Sequence, residues 1–118
     1  MDYSQLSDFE INKRVFKAIV GAIPLGYPHN ADGRSVGNES NGDYRWYDYC
    51  NNPEYAWPII TENKISIMFD STDTRYEGEY HEWCDAISSC QKFGIQYQSN
   101  PLRAAMIVFL MMQDANNA

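Results

Sequence analysis

Asn100-Pro101-Leu102-Arg103-Ala104-Ala105-Met106-Ile107-Val108-Phe109-Leu110-Met111-Met112 reads as a helix announced by its first two residues. Asn100 suits an N-cap, where a side-chain oxygen accepts an orphan backbone N–H. Pro101 suits the first helical position, where its missing N–H costs nothing. Beyond Leu102 the single charge is Arg103, and the remaining residues are apolar on every face. A helix with no polar stripe is buried, in the domain core or partly under a partner subunit. The longest apolar run, Ala104 to Met112, has nine residues, whereas a membrane span needs about 20. The helix is therefore expected at the centre of a small globular fold. The polar residues after it suggest a frayed tail over about 114–118.

A central helix needs amphipathic neighbours. Ser7-Asp8-Phe9-Glu10 is a capping box, and Leu6 and Ile11 have the spacing of a hydrophobic staple. Ile11, Val15, Ala18, Ile19 and Ala22 follow helical spacing, with Asn12, Lys13 and Lys17 mostly off that stripe. The expected helix runs from about Asp8 to Val20, with Gly21 free to end it in a left-handed conformation. Asn52-Pro53 repeats the N-cap and N1 signal and opens a helix to about Asn63, with Pro58 inside it. Ile65, Ile67 and Phe69 alternate with Ser66, Met68 and Asp70, the mark of a strand with one core face. Arg75 to Ala86 reads as the returning strand of a hairpin, with Gly78 at a bulge or an edge. Residues 81–90 also fit a helix, but a strand followed by a loop is preferred, and Phe93 to Gln98 adds a short extended piece. Tyr44 to Tyr49 is a short aromatic strand. Residues 22–43 hold most of the glycines and show no apolar period, so a flexible loop is expected there.

These elements fit one domain over residues 1–118. The class is α+β: a small α-β-α layered sandwich with a short antiparallel sheet and about three helices. The length of 118 residues suits a single core. Nine Lys and Arg against sixteen Asp and Glu give a net charge of −7. That balance opposes direct contact with nucleic acid or an anionic membrane, both of which call for clustered positive charge. Three cysteines, Cys50, Cys84 and Cys90, in a chain without an apolar leader point to a cytoplasmic protein with reduced thiols.

Chemistry-bearing patterns are sparse. His29, His81, Cys50, Cys84 and Cys90 lack the close spacings of a zinc site, so no metal is expected. Cys84 with either histidine forms a nucleophile pair on paper only, since nothing nearby would activate the thiol. No phosphate-binding glycine motif occurs, and neither a cofactor nor catalytic residues are implied. Two surfaces stand out instead. Between Asp70 and Asp85 six acids meet one base, a local balance of −5. Asp70, Asp73, Glu77, Glu79 and Glu82 are the candidates for contact with a basic partner; such charges also guard a hairpin edge against pairing. Aromatic residues crowd residues 44–57, and a strand cannot turn Trp46 and Tyr47 to one side. Trp46, Tyr47, Tyr55 and Trp57, with Arg103 for an anion, are therefore the candidate ligand-binding residues.

Three blocks also carry a resemblance. Met1-Asp2-Tyr3-Ser4-Gln5-Leu6-Ser7-Asp8-Phe9-Glu10-Ile11-Asn12-Lys13 is similar to the start of the NinX family, encoded in the nin region of lambdoid phages. Cys50-Asn51-Asn52-Pro53 followed by Ala56-Trp57-Pro58-Ile59-Ile60 and Glu62-Asn63-Lys64-Ile65 resembles its second block, and residues 100–110 its third. The element order, with the Ala56-Trp57 helix, is also similar to small phage domains described as α-β-α sandwiches. The resemblance implies a phage accessory protein acting in the bacterial cytoplasm, and it brings no catalytic residues. The expectation is a non-catalytic protein that binds a host or phage protein; the alternative is a binder of a nucleotide-like molecule or metabolite. The apolar last helix is also a candidate homodimer contact.

Overall fold

The computed structural model of the chain describes residues 1–25, 32–40, 42–73, 75 and 77–117. Among the described residues three α-helices are present: α1 (Asp8–Val20), α2 (Pro53–Glu62) and α3 (Pro101–Asn116). The strands are β1 (Val36–Ser40), β2 (Asp43–Tyr47), β3 (Ser66–Ser71), β4 (Glu82–Ile87) and β5 (Gly94–Gln98). They form two small antiparallel sheets, a β1-β2 hairpin and a three-stranded sheet in the order β3-β4-β5. The architecture is an α+β single domain.

The N-caps are where the sequence puts them. Ser7 accepts the Glu10 N–H, Asn52 that of Glu54 and Asn100 that of Arg103. Gly21 ends α1 at φ 79°, a left-handed turn open to glycine at little cost. Helix α3 is the hub. It packs against α1, α2 and the three-stranded sheet, and every residue from Ala104 to Leu110 is buried. The single chain thus covers this apolar helix by itself.

Several boundaries differ from the sequence reading. Val36–Ser40, inside the expected loop 22–43, is a strand paired with β2 (Val36 with Tyr47, Ser40 with Asp43). The cause is local. Asp32 accepts the N–H groups of Arg34 and Ser35 and the Ser35 hydroxyl, and Val36 then plugs the core at 0% exposure. The rest of that loop includes residues 26–31 and 41, which lie outside the described residues. Residues 81–90 resolve as the preferred strand, β4, and the irregularity falls between Cys84 and Ala86 rather than at Gly78. The returning strand starts only at Glu82, with a further backbone bond, Thr72 to His81, before it. Helix α3 extends to Asn116, through much of the tail expected to fray, and Asp114 accepts a hydrogen bond from the Tyr3 hydroxyl. On α1, burial falls on Phe9, Ile11, Asn12, Val15 and Phe16, while Ala18, Ile19 and Ala22 are exposed. Among the described residues, no helix is long and apolar enough to cross a membrane.

Candidate functional site

A buried polar network ties the fold together at one end of α3. Asn12 occupies an apolar helix face and is fully buried. Its Nδ2 donates to the Arg34 carbonyl and to Asp48 Oδ1, 2.9 Å each, while its Oδ1 accepts the Cys50 N–H at 3.0 Å. Asp48 also holds Arg34 at 3.1 Å. Asn51 donates to Asp8 and Asp48, at 3.0 Å each. Asn100 donates to the Cys50 carbonyl at 2.8 Å and to Asn51 at 3.0 Å. Arg103 meets Asp8 at 2.8 Å and donates to the carbonyls of Ser4 and Leu6. Amides, carboxylates and guanidinium partner one another, which is how a low-dielectric interior tolerates them. The network clamps the N-terminus, α1, the β2–α2 link and the start of α3.

The candidate ligand residues therefore divide. Arg103 is spent on Asp8 and two carbonyls. Tyr47 and Tyr55 belong to an inward aromatic cluster, their ring centres 5.2 Å apart, with Tyr49 and Phe16 alongside. Burial first, then the neighbouring Tyr47 and Tyr55, pushes the Tyr49 hydroxyl pKa upward. Trp46 is 40% exposed on the β1-β2 hairpin, opposite Gly37. Trp57 stands apart on α2, 59% exposed. The structure does not gather the five around one cavity.

What the structure does assemble is a groove that the sequence reading did not name. Trp57, Ile60, Ile65, Ile67, Phe69, Pro101 and Leu102 enclose about 390 Å³ between α2, β3 and the start of α3. Phe69 is 76% exposed, although Ile65 at the other end of the same alternating face is buried. Alternation in 65–69 placed Phe69 on the core face; the structure leaves it on the wall of an open groove instead. Phe69 also borders a second cleft of about 370 Å³ with Asp70, Ser71, Tyr80, Glu82 and Trp83. The apolar groove and the acidic hairpin are thus contiguous.

The five acidic candidates all lie on or beside that hairpin, at the far end of β3 and the start of β4. Asp70, Asp73, Glu77, Glu79 and Glu82 are exposed. Asp73 pairs with Arg75 at 3.1 Å, which holds its carboxyl below the usual range. Glu79 lies 3.7 Å from His81, and Glu82 accepts from the Tyr80 hydroxyl. The three thiols are free. Cys50 and Cys84 are buried, and burial raises their pKa values. Cys90 is exposed, and the Ser88 hydroxyl, then the Lys92 N–H, lowers its pKa. Among the described residues no three His, Cys, Asp or Glu side chains gather as metal ligands. His29 lies outside the described residues.

Comparison with known proteins gives a family match. A family model described as Bacteriophage P22, NinX matches residues 2–113. Searches of curated proteins and of solved structures return no match.

Proposed function

The chain belongs to the NinX family of phage proteins, and from that premise we propose that it is a non-catalytic accessory protein that binds a host or phage protein in the bacterial cytoplasm. The observation that carries this reading is the exposure of Trp57 and Phe69, at 59% and 76%, across one apolar groove. Large apolar side chains clustered on a surface and rimmed by charge are typical of a protein contact, and aromatic anchors supply most of the energy of such contacts. The acidic hairpin beside the groove would steer a basic partner and reject an acidic one.

The alternative, a small-molecule binder, rests on the same groove, whose size falls at the lower end of the range for ligand pockets. Its seven lining residues include no charged side chain. A nucleotide-like ligand would find no cation for its phosphate there.

The test is native mass spectrometry of the tagged chain purified gently from infected cells, beside a Trp57→Ala/Phe69→Ser variant. Both positions are exposed, so the variant should keep its circular dichroism spectrum. The expected result is a protein partner of fixed stoichiometry, at least about tenfold depleted in the variant. Equal retention by the variant would move the contact elsewhere. An excess mass of a few hundred daltons alone would favour the small-molecule reading.

A further inference from the structure

Strand β3 is an edge of its sheet, with β4 on one side. The Thr72 N–H bonds the His81 carbonyl, and the β3–β4 register runs in step with that pair. In an antiparallel ladder, alternate residues turn their backbone groups to the same neighbour. Ser66, Met68 and Asp70 therefore face β4, while Ile67, Phe69 and Ser71 face outward. The outward N–H of Ser71 is taken by the Asp70 carboxylate at 2.8 Å. That leaves Ile67 and Phe69 offering open donors and acceptors among the described residues.

From Ser66 to Phe69 this edge lacks the usual guards, and its one charge, Asp70, stands at the hairpin end. Ser66–Ser71 contains no lysine, no proline and no bulge against β4. It also exposes apolar side chains on each face. Ile67 and Phe69 look into the groove, and Met68 is 55% exposed on the opposite face. A helix lying in the groove would cover the first two side chains, and leave Met68 and the backbone bare. A strand lying in the plane of the sheet would cover all of them.

We propose that the edge of β3 accepts an extended segment of a basic partner as a fourth strand, antiparallel to β3. Its alternate apolar side chains fill the Trp57–Phe69 groove, and basic residues at its N-terminal end meet the acidic hairpin. The inference deepens the protein-binding reading and rests on it. Antiparallel pairing continues the existing sheet and is the more stable ladder per residue. It places the N-terminal end of the incoming strand beside Ser71, where Asp70, Asp73, Glu79 and Glu82 concentrate negative charge. A second copy of this chain is the poorer occupant. It would bring its own net charge of −7 to an edge that is already acidic.

The test uses the full chain and a fluorescein-labelled peptide of alternating threonine and valine behind an N-terminal Lys-Arg-Lys. Two further peptides are N-methylated at alternate residues, one series on even positions and one on odd. The expected result is saturable binding that one methylated series loses by at least about tenfold and the other keeps, since alternate amides face β3. In the complex the Ile67 and Phe69 amides should exchange with deuterium at least about tenfold more slowly. Equal binding by both methylated series, or unchanged exchange at Ile67 and Phe69, overturns strand addition. So does the absence of peptide binding. None of these touches the wider reading, which fails if no protein partner co-purifies from infected cells. A chain that sediments as a dimer with both amides already protected would hand the edge to a second copy and likewise overturn the proposal.

Discussion

Asn12 shows how one residue can join distant parts of the chain. It sits on α1 between Ile11 and Val15, yet its amide serves Arg34, Asp48 and Cys50. Two donors and one acceptor are satisfied where no water reaches. Asn12→Ala removes all three bonds at once and leaves the buried Cys50 N–H unpaired. The expected loss is about 3 kcal/mol, from about 1–3 kcal/mol for each buried group left unsatisfied. Asn12→Asp is the sharper probe. It preserves the shape but turns an amide that donates to Asp48 into a carboxylate beside it. Like charges at that distance disfavour joint ionisation, so one carboxyl should hold a proton more readily than usual. The variant should be unstable at neutral pH and should recover on acidification through the carboxylate range. Urea melts of Asn12→Asp at pH 7 and pH 5 decide the point. An equal deficit at both pH values would mean that Asp48 does not sense residue 12.

At the scale of elements, helices α2 and α3 begin with the same Asn-Pro signal, but the two asparagines differ in reach. Asn52 caps its own helix by accepting the Glu54 N–H. Asn100 caps α3 and also donates to Cys50 and Asn51, tying the start of α3 to the link before α2. Asn52→Ala should cost about 1 kcal/mol, the usual cost of a lost cap. Asn100→Ala should cost about 2–3 kcal/mol, since the buried Cys50 carbonyl also loses a donor. Equal shifts in denaturation midpoint for the two variants would show that the tether contributes nothing. The caps were legible in the sequence because a cap is written within four residues of itself. The helices, the buried run Ala104–Leu110 and the β3 alternation were legible for the same reason. Strand β1 was not, because what orders Val36–Ser40 is an aspartate turn at Asp32 and a plug into a core assembled elsewhere. Burial on α1 was misread where Asn12 replaced an apolar residue: a polar side chain on the core face looks like the edge of a stripe until its partners are known. The candidate site was half legible. Trp57 and the acidic hairpin were readable by residue type. The groove that joins them needed the start of α3, β3 and α2 to be brought together, and no local pattern records that.

At the scale of the whole molecule, three buried protonated groups tie stability to alkaline pH. Burial, and then the hydrogen bond to Asp114, raises the Tyr3 hydroxyl from 10.0 to about 12. Burial likewise raises Tyr49, and burial followed by the Asp8 carboxylate raises the Cys50 thiol. In the unfolded chain these groups would release protons near their ordinary values, 9.0 for the thiol and 10.0 for the hydroxyls. Above those values the native state holds more protons than the unfolded state, so stability falls as pH rises. The contribution is whole below about pH 9 and is lost progressively as pH climbs toward the native values; each differential proton adds a slope of about 1.4 kcal/mol per pH unit. The three groups stand in the N-terminal turn and in the link between β2 and α2, so alkaline loss should take the whole fold in one transition. Urea midpoints at pH 7.5, 9.5 and 11 should stay level over the first interval more than over the second. Tyr3→Phe should lower the neutral plateau, since the Asp114 bond goes, and flatten the decline above pH 10, since one titrating group goes with it. A wild-type midpoint that holds from pH 9.5 to pH 11 would mean that these groups are no more shielded from hydroxide in the native chain than in the unfolded one.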